Sequence, residues 1–282
     1  MLTNIIRISI MTLFEFGDQK YGDLKRSKPL KERKNTMKAI IFNSGYGNRM
    51  GEFTKTHHKS MAPMKDGETI FHRQLRILRA EGIMDIIVTT GPFEEQLKAE
   101  AADFPDMNIV FVRNDIFDKT NYIYSMYLAR DLINDDMLFF HGDLVFNRKL
   151  IHDVLACPDK NTATVNFTKA LPEKDFKGRI VDGCVHEVSI HIFDDNCYAF
   201  QPFYKLSKAT ASAWVGKVVE FIHKGETKCY AENALNEIFP ALNIRAFSYE
   251  NYYIDEIDNL DDHARVTADI LAYDEADSKL FA

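Results

Sequence analysis

An α/β fold, with a mostly parallel sheet covered by helices on both faces and a β-rich insertion, is predicted by three observations on this 282-residue chain. From Lys38 to about residue 160, short β-rich runs alternate with segments of helical periodicity. A buried apolar run empties into a glycine-rich turn at Ser44 to Arg49, and beyond about residue 160 the alternation gives way to successive strand-like runs.

Lys38 to Asn43 reads as a buried strand. Thr69 to Glu81 sets Phe71, Leu75 and Leu78 at helical spacing and stops at Gly82, a residue suited to a helix end. Asp85 to Thr90 is the second strand, ended by Gly91 and Pro92. Phe93 to Asp103 follows as an exposed charged helix, Asn108 to Val112 as a third strand, Tyr122 to Leu132 as a helix and Met137 to His141 as a fourth strand. The insertion is expected to use Ala163 to Thr168, Arg179 to Val188 and Ser189 to Phe193 as strands. Helices are expected at Ser207 to His223, Glu232 to Phe239 and Leu260 to Tyr273, with a late strand at Arg245 to Tyr249.

Residues 1–36 carry Lys20, Lys25, Arg26, Lys28, Lys31, Arg33 and Lys34 with few large apolar residues, so they read as a flexible basic leader. Residues 37–282 read as one domain. A formal net charge of −7 argues against a general nucleic-acid binder. No apolar run reaches the roughly 20 residues needed to span a bilayer, so membrane insertion is not expected. Cys157, Cys184, Cys197 and Cys229 form no C-x-x-C pair, which points to a reducing cytoplasm and away from a cysteine zinc site. Adjacent His57 and His58 have no partner at ligand spacing and are read as solvated or phosphate-facing.

Gly45-x-Gly47-x-Arg49 is a phosphate-loop candidate, because glycines let backbone N–H groups converge on anionic oxygens. Gly51 is followed by Glu52, which excludes a Walker loop. The displaced third glycine and the aperiodic Phe53 to Pro63 stretch disfavour a dinucleotide fingerprint and hydride transfer. Asp143 follows the apolar run Met137 to His141, just beyond a strand's carboxyl end, where open α/β sheets bind ligands. Asp255, Glu256 and Asp258 form a distal acidic group. Thr120, Asn121 and Ser125 sit at a helix start, where they can read a pyrimidine edge or cap the helix. Lys174, Lys177 and Arg179 concentrate cations suited to a phosphate, phosphonate or carboxylate, favouring an acceptor with an additional acidic group, unless they are surface charge alone; Trp214, Tyr249, Tyr252 and Tyr253 are candidates for an ammonium cage or for core.

Taken in order, Gly45-x-Gly47-x-Arg49, Lys59, Asn121 to Leu128, Asp143 and Tyr253 to Asp258 resemble the nucleotidyltransferases that activate sugar phosphates and phosphocholine, over roughly residues 38 to 270. Within that family they are similar to the phosphocholine cytidylyltransferase branch, which includes phosphoglutamine and aminoethylphosphonate cytidylyltransferases. The resemblance implies a Rossmann-like, nucleotide-diphospho-sugar transferase-like fold whose insertion binds the acceptor. It also implies Mg²⁺ as cofactor, held by Asp143 and Asp258. Asn43, Ser44, Gly45 and Gly47 would hold the triphosphate, Arg49 would neutralise the departing pyrophosphate, and Lys59 would act at the α-phosphate.

The two small residues usual before the first glycine are Asn43 and Ser44 here. His58 replaces the proline that often precedes the family lysine, leaving Lys55 beside Lys59 as a candidate. The implied partners are CTP and a small phosphorylated or phosphonate acceptor, and a homodimer is compatible with this reading. The product would serve surface polysaccharide or lipid decoration. The rivals are a sugar-1-phosphate nucleotidyltransferase using UTP or dTTP and a non-catalytic nucleotide-binding module.

Overall fold

A computed structural model describes residues 37–282, and the predicted leader at 1–36 lies outside the described residues. The strands are β1 (Lys38–Asn43), β2 (Asp85–Thr90), β3 (Asn108–Arg113), β4 (Met137–His141), β5 (Leu144–Phe146), β6 (Thr162–Asn166), β7 (Lys177–Val181), β8 (Cys184–Ser189), β9 (Cys197–Leu206), β10 (Arg245–Ser248) and β11 (Ile254–Glu256). The helices are α1 (Ile70–Ala80), α2 (Glu94–Ala101), α3 (Tyr122–Ala129), α4 (Arg148–Ala156), α5 (Lys208–His223), α6 (Ala231–Asn236), α7 (Phe239–Leu242) and α8 (Leu260–Leu280).

Nine strands form one sheet in the order β3-β2-β1-β4-β9-β6-β10-β8-β7, while β5 and β11 pair separately. Strands β3, β2, β1 and β4 are mutually parallel. From β9 onward the pairings are antiparallel except for β10 with β6, so the sheet is mixed rather than mostly parallel. The expected insertion is continuous with this sheet, its β7 pairing with both β8 and β9.

Alternation along β1 divides the core. Ile40 and Phe42 join one apolar cluster with Met126 of α3 and Trp214 of α5; Ala39 and Ile41 join another with Leu75 of α1 and Leu150 of α4. Side-chain caps start several helices: Thr69 accepts from His72 N, Ser207 from Thr210 N, and Asn259 from the N–H groups of Asp261 and Asp262.

Two expected strands are redrawn. Asp182 and Gly183 have φ of 50° and 75°, a hairpin turn that cuts the Arg179 to Val188 run into β7 and β8 and leaves Ser189 to Phe193 mostly outside a strand. The ten-residue β9, absent from the sequence expectation, contains Pro202. The proline is tolerated because the β6–β9 register shifts there, from Ala163↔Tyr204 to Thr164↔Gln201.

Two loops meet where β1 and β4 end side by side, Phe42 pairing with His141 and Gly142 N donating to Phe42 O. A Cβ on Gly142 would lie 1.5 Å from Asn43 Oδ1, so Gly142→Ala should drive the Asn43 side chain out of its buried place at the end of β1. The expected cost is about 1–3 kcal/mol, read as a melting temperature lower by roughly 2–4 °C per kcal/mol for a chain of this size.

Candidate active site

The carboxyl ends of β1 and β4 open into a cleft of about 450 Å³. Its floor is the β1 exit. His58 is buried at 3% exposure, and its ring is held between Asn43 O on Nε2 (2.8 Å) and Ser60 Oγ on Nδ1 (2.8 Å). With Ser60 N also donating to Nδ1, the ring is the neutral tautomer protonated on Nε2. His58 is thus a buried brace rather than a solvated group; His57 stacks on Phe53 instead.

Burial pushes the pKa of His58 down to about 4, the neighbouring Lys59 charge adding to the effect. A histidine whose folded pKa lies below its unfolded value of about 6.5 stabilises the fold fully above pH 6.5, and that stability is lost as pH falls towards 4. The shift corresponds to about 3 kcal/mol. Urea unfolding from pH 7 to pH 4.5 should therefore show a stability loss that His58→Gln flattens; an equally steep loss in the variant would exclude His58 as its source.

Above this floor runs the glycine loop. Gly47 adopts φ 69°, and a Cβ there would come within 2.8 Å of Lys59 Cβ, so the glycine makes room for the lysine stem to enter the cleft. Thr54 Oγ1 donates to Gly47 O at 3.1 Å and fixes the loop from outside. Among the described residues no group accepts from the backbone N–H of Gly45, Tyr46 or Gly47, which leaves them available to an anion.

Pairing of β11 with β5 sets Glu256 opposite Leu144, and Ile257 N donates to Asp143 O at 3.1 Å, which draws the distal acids onto Asp143. Lys59 Nζ lies 2.5 Å from Asp143 Oδ2 and 2.9 Å from Asp258 Oδ1, while Arg49 reaches Asp258 Oδ2 at 2.7 Å. Burial opposes charge on Lys59, yet the two aspartates carry its pKa above the ordinary lysine range. Burial likewise opposes ionisation of Asp143, but Lys59 holds its carboxyl below the usual range. Glu256 goes the other way: burial and the charges of Asp143 and Asp258 raise its pKa well above the carboxylate range.

Buried Asp143 Oδ1 has no hydrogen-bond partner among the described residues. Single ligand atoms from Asp175, Glu256 and Asp258 lie within 4.8 Å of one another, as do those from His141, Asp143 and Glu256. An orphaned carboxylate oxygen within an oxygen-rich set that exceeds its cations fits a hard divalent ion such as Mg²⁺.

Of the residues expected here, Asn43, Ser44, Gly45, Gly47, Arg49, Lys59, Asn121, Asp143, Lys174 and Asp258 line the cleft. Lys55 is outside it and pairs with Glu52. Thr120 and Ser125 are also outside, both bound to Asn114 Nδ2, and Ser125 is buried. Asn121 caps α3 through Tyr122 N. Lys177 is fully buried, and Arg179 pairs with Glu187 and Asp194, so neither reaches the cleft. Trp214 and Tyr249 are core, Trp214 donating to Ala231 O, and Tyr252 bonds Asp153.

In their place the cleft receives Tyr122, Asp175, Phe176, Tyr230 and Glu256. Glu256 was legible as part of the distal acidic group; Tyr230, delivered by the loop before α6, carried no sequence signal.

The sequence model of the MobA-like NTP transferase domain matches residues 39–190, more than half of the chain. Three curated proteins are similar. CMP-5′-(3-aminopropyl)phosphonate synthase of Streptomyces rubellomurinus is 24% identical over 160 residues, covering 56% of this chain and 25% of that protein. Choline-phosphate cytidylyltransferase of Haemophilus influenzae is 32% identical over 114 residues, covering 40% and 47%. CTP:phosphoglutamine cytidylyltransferase of Campylobacter jejuni is 25% identical over 136 residues, covering 46% and 53%. The chain thus spans between a quarter and about half the length of these relatives. The solved CTP:phosphocholine cytidylyltransferase from Streptococcus pneumoniae superposes with a TM-score of 0.68 over 83% of this chain and 99% of its own, at 20% identity, a likeness of fold. No helix among the described residues is long and apolar enough to cross a membrane.

Proposed function

Because the chain belongs to the MobA-like NTP transferase domain family, we propose that it is a Mg²⁺-dependent cytidylyltransferase for a small phosphorylated or phosphonate acceptor. An acceptor oxygen attacks the α-phosphorus of CTP; the new P–O bond forms as the bond to the β-phosphate oxygen breaks, and pyrophosphate leaves. The observation that carries this reading is the Lys59 ammonium set between Asp143 and Asp258 at the mouth of the glycine loop.

Free N–H groups at Gly45, Tyr46 and Gly47 would receive phosphate oxygens. Lys59 and the exposed Arg49 supply positive charge where negative charge builds on the α-phosphate and the departing pyrophosphate. Asp143 and Asp258, which flank Lys59 and each share a separate ligand-atom group with Glu256, would hold Mg²⁺, whose bound charge would offset that of the triphosphate. The acceptor phosphate is already ionised at neutral pH, so the attack needs no strong base.

The acceptor wall supports an ammonium-bearing acceptor over one with an additional acidic group. With Lys177 and Arg179 outside the cleft, Lys174 faces it together with Asp175, Glu256 and the rings of Tyr122, Phe176 and Tyr230. Choice of CTP rests on the names of the similar proteins.

Pyrophosphate release across CTP, UTP, dTTP and ATP, each with phosphocholine, 2-aminoethylphosphonate, phosphoglutamine and glucose 1-phosphate, tests the reading. Release is expected with CTP and an ammonium-bearing acceptor; release only with UTP or dTTP and the hexose phosphate would replace it with the sugar-phosphate alternative.

A further inference from the structure

Lys177 begins β7, yet its side chain runs back under the segment that precedes the strand. All three ammonium protons have carbonyl acceptors: Pro172 O at 2.9 Å, Glu173 O at 3.4 Å and Ile190 O at 2.7 Å. The Phe193 ring covers the charge, its centroid 4.1 Å from Nζ. No carboxylate among the described residues hydrogen-bonds this lysine; its protons go to carbonyl dipoles and one ring covers it, while the charge of Asp175 acts on it without a hydrogen bond.

The two carbonyls at 172 and 173 close a short loop through Lys177, and the residues caught inside it are Lys174, Asp175 and Phe176, which all face the cleft. Ile190, whose carbonyl takes the third bond, faces the cleft as well. One buried ammonium therefore ties together two loops of the same wall, with no strand pairing between the tied carbonyls.

We propose that Lys177 is a positioning residue that holds Lys174, Asp175 and Phe176 in place for the acceptor, without touching the acceptor itself. This rests on the assignment of that wall to the acceptor in the cytidylyltransferase reading. Burial lowers the Lys177 pKa from the ordinary lysine value, consistent with a group given over to fixed internal contacts. An uncharged side chain of similar length leaves three carbonyls without their donor, and the loop at 172–176 gains freedom that acceptor binding must then remove.

Steady-state kinetics on the full chain, with whichever of phosphocholine and 2-aminoethylphosphonate turns over faster, read the effect. Lys177→Met should raise the acceptor KM at least tenfold and leave the CTP KM within twofold. Phe193→Leu alters an exposed residue and spares the fold, and it should raise the acceptor KM two- to fivefold with the same selectivity. Equal rises in both KM values, or no change in either, in both variants would overturn the proposal. Trypsin cleavage after Lys174 gives a readout independent of activity: it should be at least fivefold faster in Lys177→Met than in the native chain, and an unchanged rate would sink the tether. Should the native chain transfer CMP from CTP to none of the acceptors of the pyrophosphate-release panel, the cytidylyltransferase reading fails while the trypsin comparison still decides the tether.

Discussion

Asp143→Asn is expected to lower turnover by on the order of 10³-fold while the protein melts within a few degrees of the native chain. The amide keeps the shape of the side chain and removes its charge. What is lost is one of the two carboxylates that face Lys59, and the one whose buried Oδ1 has no partner among the described residues. Stability should change little, because Lys59 keeps Asp258 at 2.9 Å and the crowding of negative charge around Glu256 is relieved. Pyrophosphate release at saturating CTP, with a thermal melt on the same sample, checks both halves. Near-native turnover would remove Asp143 from the reaction; loss of folding would make its role structural.

Lys59→Met is expected to cost on the order of 10²- to 10³-fold in kcat, with a pH signature that Asp143→Asn lacks. Without the ammonium, Asp143, Glu256 and Asp258 face one another, and among the described residues the exposed Arg49 is the cation left in an ion pair with them. Asp143 should lose the charge that holds its pKa down and Glu256 should be pushed further up; a carboxyl whose folded pKa exceeds its unfolded value destabilises the fold fully above the folded pKa, and that effect is gone only below the unfolded pKa. Lys59→Met should therefore melt below the native chain at pH 8, with a gap that narrows as pH falls from 8 towards about 4, the unfolded carboxylate value. A gap independent of pH would mean that the lysine stem, packed against Gly47, matters more than its charge.

The parallel half of the fold was legible because each signal there is local. β1, β2 and β4 each contain an unbroken apolar run, and α1 is bracketed by the Thr69 cap and Gly82. The antiparallel half was read less well. Its longest strand contains a proline that only a bulge on the facing pair makes acceptable, and β5 and β11 are three-residue strands that exist through each other. At the site, Gly45, Gly47, Arg49, Lys59, Asp143 and Asp258 were visible as motif positions. Spacing said nothing of Tyr230, which arrives on a loop, and it favoured Lys177 and Arg179 for a charge that structure directs to internal carbonyls and to surface acids.

Transfer of label from CTP decides the central claim most directly. With CTP labelled at the α-phosphorus, Mg²⁺ and phosphocholine or 2-aminoethylphosphonate, label should pass into a CMP-linked product while β- and γ-label leave as pyrophosphate. EDTA should abolish the transfer, and Asp143→Asn should reduce it to a trace. Release of γ-label as free phosphate, or retention of all label in unreacted CTP with every acceptor while the nucleotide still binds, would contradict nucleotidyl transfer at this cleft.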